Sequence, residues 1–226
     1  MKKYIFIFYI LFSFFNVFAD ESYYKNLSKI EMDVLRNDEV IGYSNYFFKH
    51  SKDTMTVENY TKFIVEMFGV KVFSIDSKSK EIYKKDKLIS FDSTTLQNDK
   101  KKFVKLIYDE KINKFIINGS SYVGEANLDN IIGNWWNSKI LETNQQISPL
   151  SGSIKQQVIT FIGKEKIKLY GKNYLVDHYK LKSKNQDLPD DKKLDFNIWL
   201  DPNEGIIYKV KYNRLGSWEY RLISYE

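Results

Sequence analysis

Apolar and polar residues alternate along most of this chain. In KIEMDVLR, Ile30, Met32 and Val34 fall on one face of an extended strand, and Glu31 and Asp33 fall on the other. The same period of two recurs in TMTVENYTKFIVEMF, KFVKLIYDEKINKFIING, QQVITFIG and YLVDHYKLK. Alternation at this period predicts β-strands that bury one face.

The predicted strands are long, and the turns between them are short. Many runs exceed the ~5–6 residues of a typical strand, and no linker rich in proline, glycine and serine divides the chain. Long antiparallel strands joined by tight turns favour one large curved sheet or a half-open barrel over a small sandwich. We therefore predict a mainly β fold and a single β-rich domain over residues 20–226.

The segment 127–142 breaks the alternation and predicts a short helix that covers an open end of the sheet. Asn127 is a suitable N-cap, and Gly133 weakens the helix enough to allow two broken turns instead. The apolar residues at helical spacing are Leu128, Ile131, Ile132 and Trp135. Because neighbours on a helix point about 100° apart, we expect the two rings to have different roles. Trp135 is the expected core plug, and Trp136 is the residue to mutate first, to distinguish a role in folding from a role in ligand binding.

The first nineteen residues carry the pattern of a cleavable secretory signal. Lys2 and Lys3 precede the apolar run 4–15, and Val17 and Ala19 place small residues before a cleavage site. We expect cleavage after Ala19 and export to the periplasm, with no transmembrane helix in the remaining chain. The run is shorter than the ~18 residues of a membrane span, which disfavours an uncleaved anchor. An outer-membrane β-barrel is the alternative location, because alternating strands suit that class as well.

Charge and composition narrow the classes of partner. The formal net charge is +6, but the basic residues are spread along the chain, so nucleic acid is not a predicted partner. A weak preference for acidic surfaces, such as anionic lipid headgroups, follows at most. The chain has no cysteine, which excludes disulfides, thiolate metal sites and a lipidated cysteine.

No group of residues points to catalysis. The two histidines, His50 and His178, lie far apart in the sequence, and neither has an evident partner for acid–base chemistry. GSSYVG at 119–124 lacks the spacing of a nucleophile elbow. DPNEG at 201–205 is followed by neither the glycine nor the glutamate that a calcium loop needs. We predict a non-enzymatic protein with no cofactor and no metal site.

The order of several motifs resembles that of a known family. Trp136-Asn137, Leu141 and the stretch SPLSG ending at Gly152 resemble a W-N…L…(S/T)-G signature, although Ser138 stands where that family often has proline. VDHYKL and FNIWLDPNEGIIYKVKYNRLGSWEYRLI resemble its C-terminal part. The family is an uncharacterised one of exported bacterial β-rich proteins, a domain of unknown function. The resemblance implies a shape similar to the half-open barrels of periplasmic lipoprotein carriers, and it implies no established activity.

Aromatic residues supply the candidate binding surface. The chain has 17 Tyr, 16 Phe and 4 Trp, which suit either a packed β core or an apolar concave face. Our hypothesis is a periplasmic binding or carrier protein for an apolar ligand or a lipid-bearing partner. The alternative is a structural or interaction protein of the cell envelope with a packed core and no ligand. The candidate ligand-binding residues are Trp135, Trp136, Asn137, Tyr179 and Trp199.

Overall fold

The computed structural model describes residues 21–226. The predicted signal peptide and its cleavage site therefore lie outside the described residues. Within them are two short 3-10 helices, Glu21–Asn26 and Ser138–Leu141. The strands are β1 Lys29–Arg36, β2 Glu39–Ser51, β3 Thr54–Met67, β4 Val70–Lys84, β5 Lys87–Gln97, β6 Lys100–Asp109, β7 Lys114–Gly119, β8 Tyr122–Ala126, β9 Ile131–Ile132, β10 Gln145–Ile147, β11 Ile154–Leu169, β12 Lys172–Ser183, β13 Asp195–Asp201, β14 Ile206–Asn213 and β15 Ser217–Tyr225. No helix in this range is long and apolar enough to cross a membrane.

All fifteen strands form one sheet. Its order is β8 through β1, then β15 through β9, so the sheet consists of two meanders joined by the β1–β15 pair. Every neighbouring pair is antiparallel except β9 with β10, which is parallel. The prediction of a mainly β fold built on one large antiparallel sheet is confirmed.

The two edges of the sheet, β8 and β9, are consecutive in sequence and are linked further by the SPLSG turn. The Ser121 amide donates to the Ser151 carbonyl at 2.9 Å, and the Ser93 hydroxyl donates to the Pro149 carbonyl at 2.6 Å. Gly152 has φ +79°, and a Cβ there would meet Ile117 at 3.1 Å and the Gly119 Cα at 3.2 Å. The turn therefore needs glycine to pack closely against β7 and so bring the edges together.

The predicted helix over 127–142 is much shorter than expected. Asn127 opens a turn, in which its carbonyl accepts from the Asn130 amide at 3.1 Å, and it caps no helix. Ile131 and Ile132 form β9 and pair with Gln146 and Ile147 of β10. Only Ser138–Leu141 is helical, as a single 3-10 turn. The backbone groups of both isoleucines pair with β10, which favours a strand over a helix. The helical spacing of the apolar residues therefore gave the wrong prediction here.

Within residues 21–226, three clusters of buried side chains form the core. The largest contains Met32, Phe91, Leu106 and Trp136, which come from both meanders and from the segment between them. A second cluster surrounds Ile140, Leu181 and Ile198, and a third surrounds Val34, Phe63 and Trp218. The curved sheet is therefore filled by its own side chains, with the segment that follows β8 packed against it.

The turns β1–β2, β3–β4, β5–β6 and β14–β15 lie at one end of the sheet, because their strands are antiparallel neighbours in matching register. We call this the Phe68 end, after the residue at the β3–β4 turn. The last residues of β15, from Leu222 to Tyr225, lie toward the opposite end, where they pair with the start of β1.

Candidate functional site

Trp136 lies at the centre of the largest cluster and is 1% exposed. Three aromatic rings meet its indole edge-on, those of Tyr24 at 5.2 Å, Phe48 at 5.4 Å and Tyr83 at 5.8 Å between ring centroids. Trp136, rather than the predicted Trp135, is the core plug. It faces none of the clefts described below.

The Trp136 indole is bonded to a buried carboxylate, that of Glu81 on β4. Glu81 Oε1 accepts from Trp136 Nε1 at 3.0 Å and from Asn134 Nδ2 at 2.7 Å. Its other oxygen, Oε2, accepts from the Tyr83 hydroxyl at 2.6 Å. Glu81 is 2% exposed, so this group of four side chains ties the segment after β8 to the inner face of the sheet.

Burial governs the acid–base behaviour of this group. Loss of solvation raises the pKa of Glu81 to about 7, and the three donors oppose that rise only in part. Burial and the adjacent Glu81 carboxylate together raise the pKa of the Tyr83 hydroxyl well above its usual range. Glu81 therefore changes protonation near neutral pH while Tyr83 remains a hydrogen-bond donor.

Glu81 is not among the site residues predicted from the sequence, although the sequence carries a signal for it. In VKVFSIDSKSKEIYK, the period of two places Glu81 on the same face as Ile75 and Tyr83. An acid on the apolar face of a strand requires partners that compensate for lost solvation. Its partners Asn134 and Trp136 come from a segment with no regular period, so their approach to β4 could not be deduced from spacing.

Asn137 and Trp135 do not share an exposed surface with Trp136. Asn137 is buried, and its Oδ1 accepts from the Lys139 amide at 3.1 Å, which caps the 3-10 helix. Trp135 is half-buried and packs against Phe196 at 5.1 Å and Tyr220 at 6.1 Å between ring centroids. These contacts describe structural support for the segment.

Tyr179 and Trp199 lie on the neighbouring strands β12 and β13. Tyr179 is half-buried beside Phe161. Trp199 stacks on His178 at 4.6 Å, and Lys209 Nζ lies 3.8 Å from the centroid of the Trp199 ring. The five predicted residues therefore do not line one common site. Their role in ligand binding stays a prediction.

A cleft of about 270 Å³ opens near the end opposite the Phe68 end. It lies between the β11–β12 turn, β14 and the last residues of β15. Its lining is formed by four tyrosines with aliphatic and polar neighbours: Leu169, Tyr170, Lys172, Tyr174, Tyr208, Leu222, Ile223, Ser224 and Tyr225. Lys172 is the only charged residue in this lining, which otherwise combines aromatic rings and aliphatic side chains with tyrosine hydroxyls and Ser224.

The tyrosines of this cleft are held by one another and by acids. Tyr174 meets Tyr208 edge-on at 4.9 Å between ring centroids. The Tyr208 hydroxyl donates to Asp201 Oδ2 at 3.0 Å, and the Tyr170 hydroxyl donates to Asp33. Burial is the largest cause that raises the pKa of both hydroxyls, and the neighbouring carboxylates add to it. Both hydroxyl groups therefore stay protonated and hydrogen-bonded. The faces of the tyrosine rings remain available for contact with a ligand.

A second, more open cleft of about 360 Å³ lies beside β11. It is lined by Leu141, Glu142, Thr143, Asn144, Gln157, Val158, Ile159 and Lys184. This lining contains no aromatic side chain and includes charges of both signs. Its apolar surface is aliphatic, from Leu141, Val158 and Ile159, and it encloses a ligand less than the tyrosine-lined cleft does.

The histidines are separated in space as in sequence. His50 Nε2 lies 2.7 Å from the Leu27 carbonyl oxygen, and His178 Nε2 lies 3.1 Å from Asn197 Oδ1. Within residues 21–226, no group of three or more His, Cys, Asp or Glu side chains is placed to hold a metal ion.

Comparison with known proteins addresses the fold and the family. A crystal structure described as that of a β-barrel-like protein of domain of unknown function DUF1849 from Brucella abortus matches this chain with a TM-score of 0.61 and 10% sequence identity. The match covers 88% of this chain and 97% of that chain, and at this identity it establishes similarity of fold alone. Comparison with curated proteins gives no significant match.

The family comparison covers most of the chain. Residues 32–223 match the family described as domain of unknown function DUF6134. The prediction of an uncharacterised family with a β-rich domain is confirmed at this level, whereas the W-N signature and the similarity to lipoprotein carriers stay predictions. The chain belongs to the DUF6134 family.

Proposed function

We propose that this chain is an exported, non-enzymatic binding protein of the bacterial envelope that takes up an apolar ligand in the tyrosine-lined cleft. The observation that carries the proposal is the lining of that cleft. Aromatic and aliphatic walls with one well-placed polar anchor are the usual make-up of small-molecule sites. The cleft also differs from the interior of the sheet, where Trp136 and its neighbours leave the centre filled.

The single cation in the lining suggests the chemistry of the ligand. Lys172 is exposed at the start of β12, directly after the Tyr170-Gly171 turn. An apolar chain that ends in a carboxylate would lay its chain on the tyrosine rings and its acid beside the Lys172 ammonium group. A fatty acid is the simplest molecule of this kind, and a lipid-bearing partner would present the same two features.

A titration with dodecanoate by isothermal calorimetry tests the cleft directly. Ile223 lines the cleft and is 49% exposed, so Ile223→Glu introduces a charge at the site at little cost to folding. We expect Ile223→Glu and Lys172→Ala each to weaken dodecanoate binding by about tenfold, the cost of roughly 1.4 kcal/mol. Val158→Glu is the matched control, because Val158 is also 49% exposed but lines the other cleft.

Each outcome of this titration has a meaning. Equal binding by the wild type and all three variants would place the ligand elsewhere, and weakening by Val158→Glu alone would assign it to the second cleft. Absence of binding by the wild type would favour the alternative of an envelope interaction protein with a packed core. Crosslinking in intact cells would then identify a protein partner, and release by osmotic shock tests the periplasmic location.

A further inference from the structure

At the Phe68 end the β3–β4 hairpin extends beyond the β5–β6 hairpin and is no longer hydrogen-bonded to β2. Pairing of β2 with β3 stops at Phe63, and pairing of β4 with β5 stops at Ile75. The residues between these two form a two-stranded ribbon with no third strand on either side. The base of the ribbon is anchored, because Phe63 and Phe73 pack on the ring of Trp218 at 5.6 and 6.1 Å. Its tip projects from the sheet.

The tip of the ribbon is apolar and fully open. Phe68 is 101% exposed, and the flanking Met67 and Val70 are 47% and 63% exposed. Within residues 21–226, Phe68 is the most exposed of the large hydrophobic side chains. Such a residue at a turn leaves apolar surface in water unless an external partner covers it.

Phe68 also adopts a backbone conformation that favours other residues. Its φ is +52°, followed by +75° at Gly69. Bulky side chains are disfavoured at positive φ, where asparagine, aspartate and glycine are common. Two other turns at this end follow that rule, with Asn37-Asp38 and Asn98-Asp99 at the corresponding positions. The phenylalanine therefore serves neither the turn nor the core.

A second turn at the same end repeats the arrangement. Leu215, between β14 and β15, is 91% exposed and has a φ of +49°. A hydrogen bond from β1 holds this turn in place, since Arg36 Nη2 donates to the Leu215 carbonyl at 2.7 Å. Trp218, the second residue of β15, contacts the base of the ribbon and follows Leu215 by three positions, so it connects the two turns. Two such residues at one end indicate a common surface.

Basic side chains surround these tips. Lys71 lies on the ribbon and Lys62 lies at its base, with 45% and 53% of their side chains exposed. Lys100 and Lys101 are exposed at the start of β6, directly after the neighbouring turn, and Arg214 precedes Leu215. Asp99 and Asp76 pair with two of these lysines, at 3.1 and 3.3 Å. Exposed acids share this end, with Glu66 beside the tip and Asp38 and Glu39 at the β1–β2 turn, so basic side chains outnumber acidic ones only slightly.

We infer that the Phe68 end docks on the surface of an anionic phospholipid bilayer, with Phe68 and Leu215 inserted among the headgroups and upper acyl chains. A convex tip has no groove for a chain to occupy, but it can enter a deformable apolar phase. Cations around an apolar insertion point complement anionic lipids. This surface lies at the end opposite the tyrosine-lined cleft, and the inference is independent of the ligand proposed there.

Co-sedimentation with vesicles tests the inference on the mature chain, residues 20–226. We expect the protein to bind vesicles of phosphatidylcholine that contain about 30 mol% phosphatidylglycerol, an anionic lipid that gives the vesicle a negative surface potential. Binding should weaken in high salt, which screens that potential. Phe68→Asn should lower the partition coefficient by about tenfold, because it removes one large apolar side chain from the membrane. Leu215→Asn should lower it several-fold, and Lys100→Glu should lower binding to the anionic vesicles.

The variants include their own test of folding. Because asparagine tolerates positive φ, Phe68→Asn should raise the midpoint of thermal unfolding by about 2–4 °C while it weakens vesicle binding. Ile112→Asn is the matched control, since Ile112 is 45% exposed in the β6–β7 turn at the opposite end and should bind vesicles as the wild type does. Absence of vesicle binding by the wild type, or equal loss in Ile112→Asn, would overturn the inference. Unchanged vesicle binding by Phe68→Asn would also overturn the inference. If position 68 crosslinks to an envelope protein and the wild type does not bind vesicles, the partner of this surface is a protein instead of a membrane.

Discussion

The carboxyl group of Glu81 should make the stability of the fold depend on pH in a direction unusual for an acid. Its pKa rises from 4.5 to about 7 on burial. A raised folded-state pKa means that the folded protein holds a proton which the unfolded chain releases between pH 4.5 and 7. Stability from this group is therefore fully present below about pH 4.5 and is lost as the pH rises through 7.

The size of the effect follows from the same shift. One pKa unit corresponds to about 1.4 kcal/mol, so a rise from 4.5 to about 7 corresponds to a loss of about 3 kcal/mol of unfolding free energy above pH 7. Glu81→Gln keeps the shape of the side chain and an acceptor for Trp136 and Asn134, but it has no proton to lose. Part of this effect is already lost at pH 5, so we expect the variant to gain about 2–3 kcal/mol over the wild type at pH 8 compared with pH 5.

Urea unfolding followed by tryptophan fluorescence at several pH values between 5 and 8 measures this difference. Glu110→Gln, which removes an exposed carboxyl in the β6–β7 turn, controls for the change in net charge. It should follow the wild-type curve. If Glu81→Gln also runs parallel to the wild type from pH 5 to pH 8, Glu81 is charged throughout and the reasoning about its burial is wrong.

Two further changes test the packing of the fold. Trp136→Ala should cost about 3–5 kcal/mol of unfolding free energy, because it empties the centre of the core and removes a donor to Glu81. In the same urea titration, Trp135→Ala should cost less than half of that, because Trp135 is only half-buried. Equal losses in the two variants would contradict the assignment of Trp136 as the core plug. Gly42→Ala should cost about 2–3 kcal/mol, because the added Cβ would lie 2.0 Å from the Lys62 carbonyl oxygen and 2.6 Å from the Phe63 Cα, so β2 and β3 must separate. Val40→Ala, at an exposed position of the same strand, is its control in thermal unfolding, and a matching shift in both variants would refute the contact.

The sequence predicted the sheet well because alternation is a local property of each strand. Ile30, Met32 and Val34 alternate with polar residues, and all three are buried on one face in the structure. Short turns between long strands then leave few arrangements other than a meander. The coarse fold could therefore be deduced without knowledge of any long-range contact.

The candidate site could be predicted only in part, because its contacts join distant segments. The sequence singles out Trp136 as a candidate residue, but the contact of Trp136 with Glu81 spans 55 positions and carries no periodic signal. Ile131 and Ile132 satisfied a helical spacing and a strand equally well, and the parallel pairing with β10 decided between them. The tyrosine-lined cleft likewise brings together the β11–β12 turn, β14 and β15, which a linear pattern does not relate.

The position of the β1–β15 pair has a consequence for the order of folding. Hairpins between consecutive strands form from local contacts, so each meander can assemble separately and early. The seam between the meanders joins residues as far apart as Glu31 and Ser224, which are 193 positions apart, and its loop closure makes it a late step. Until it closes, β1 and β15 are both open edges that can pair with another chain. Aggregation during refolding should therefore depend on the rate at which this one seam closes, more than on the stability of either meander.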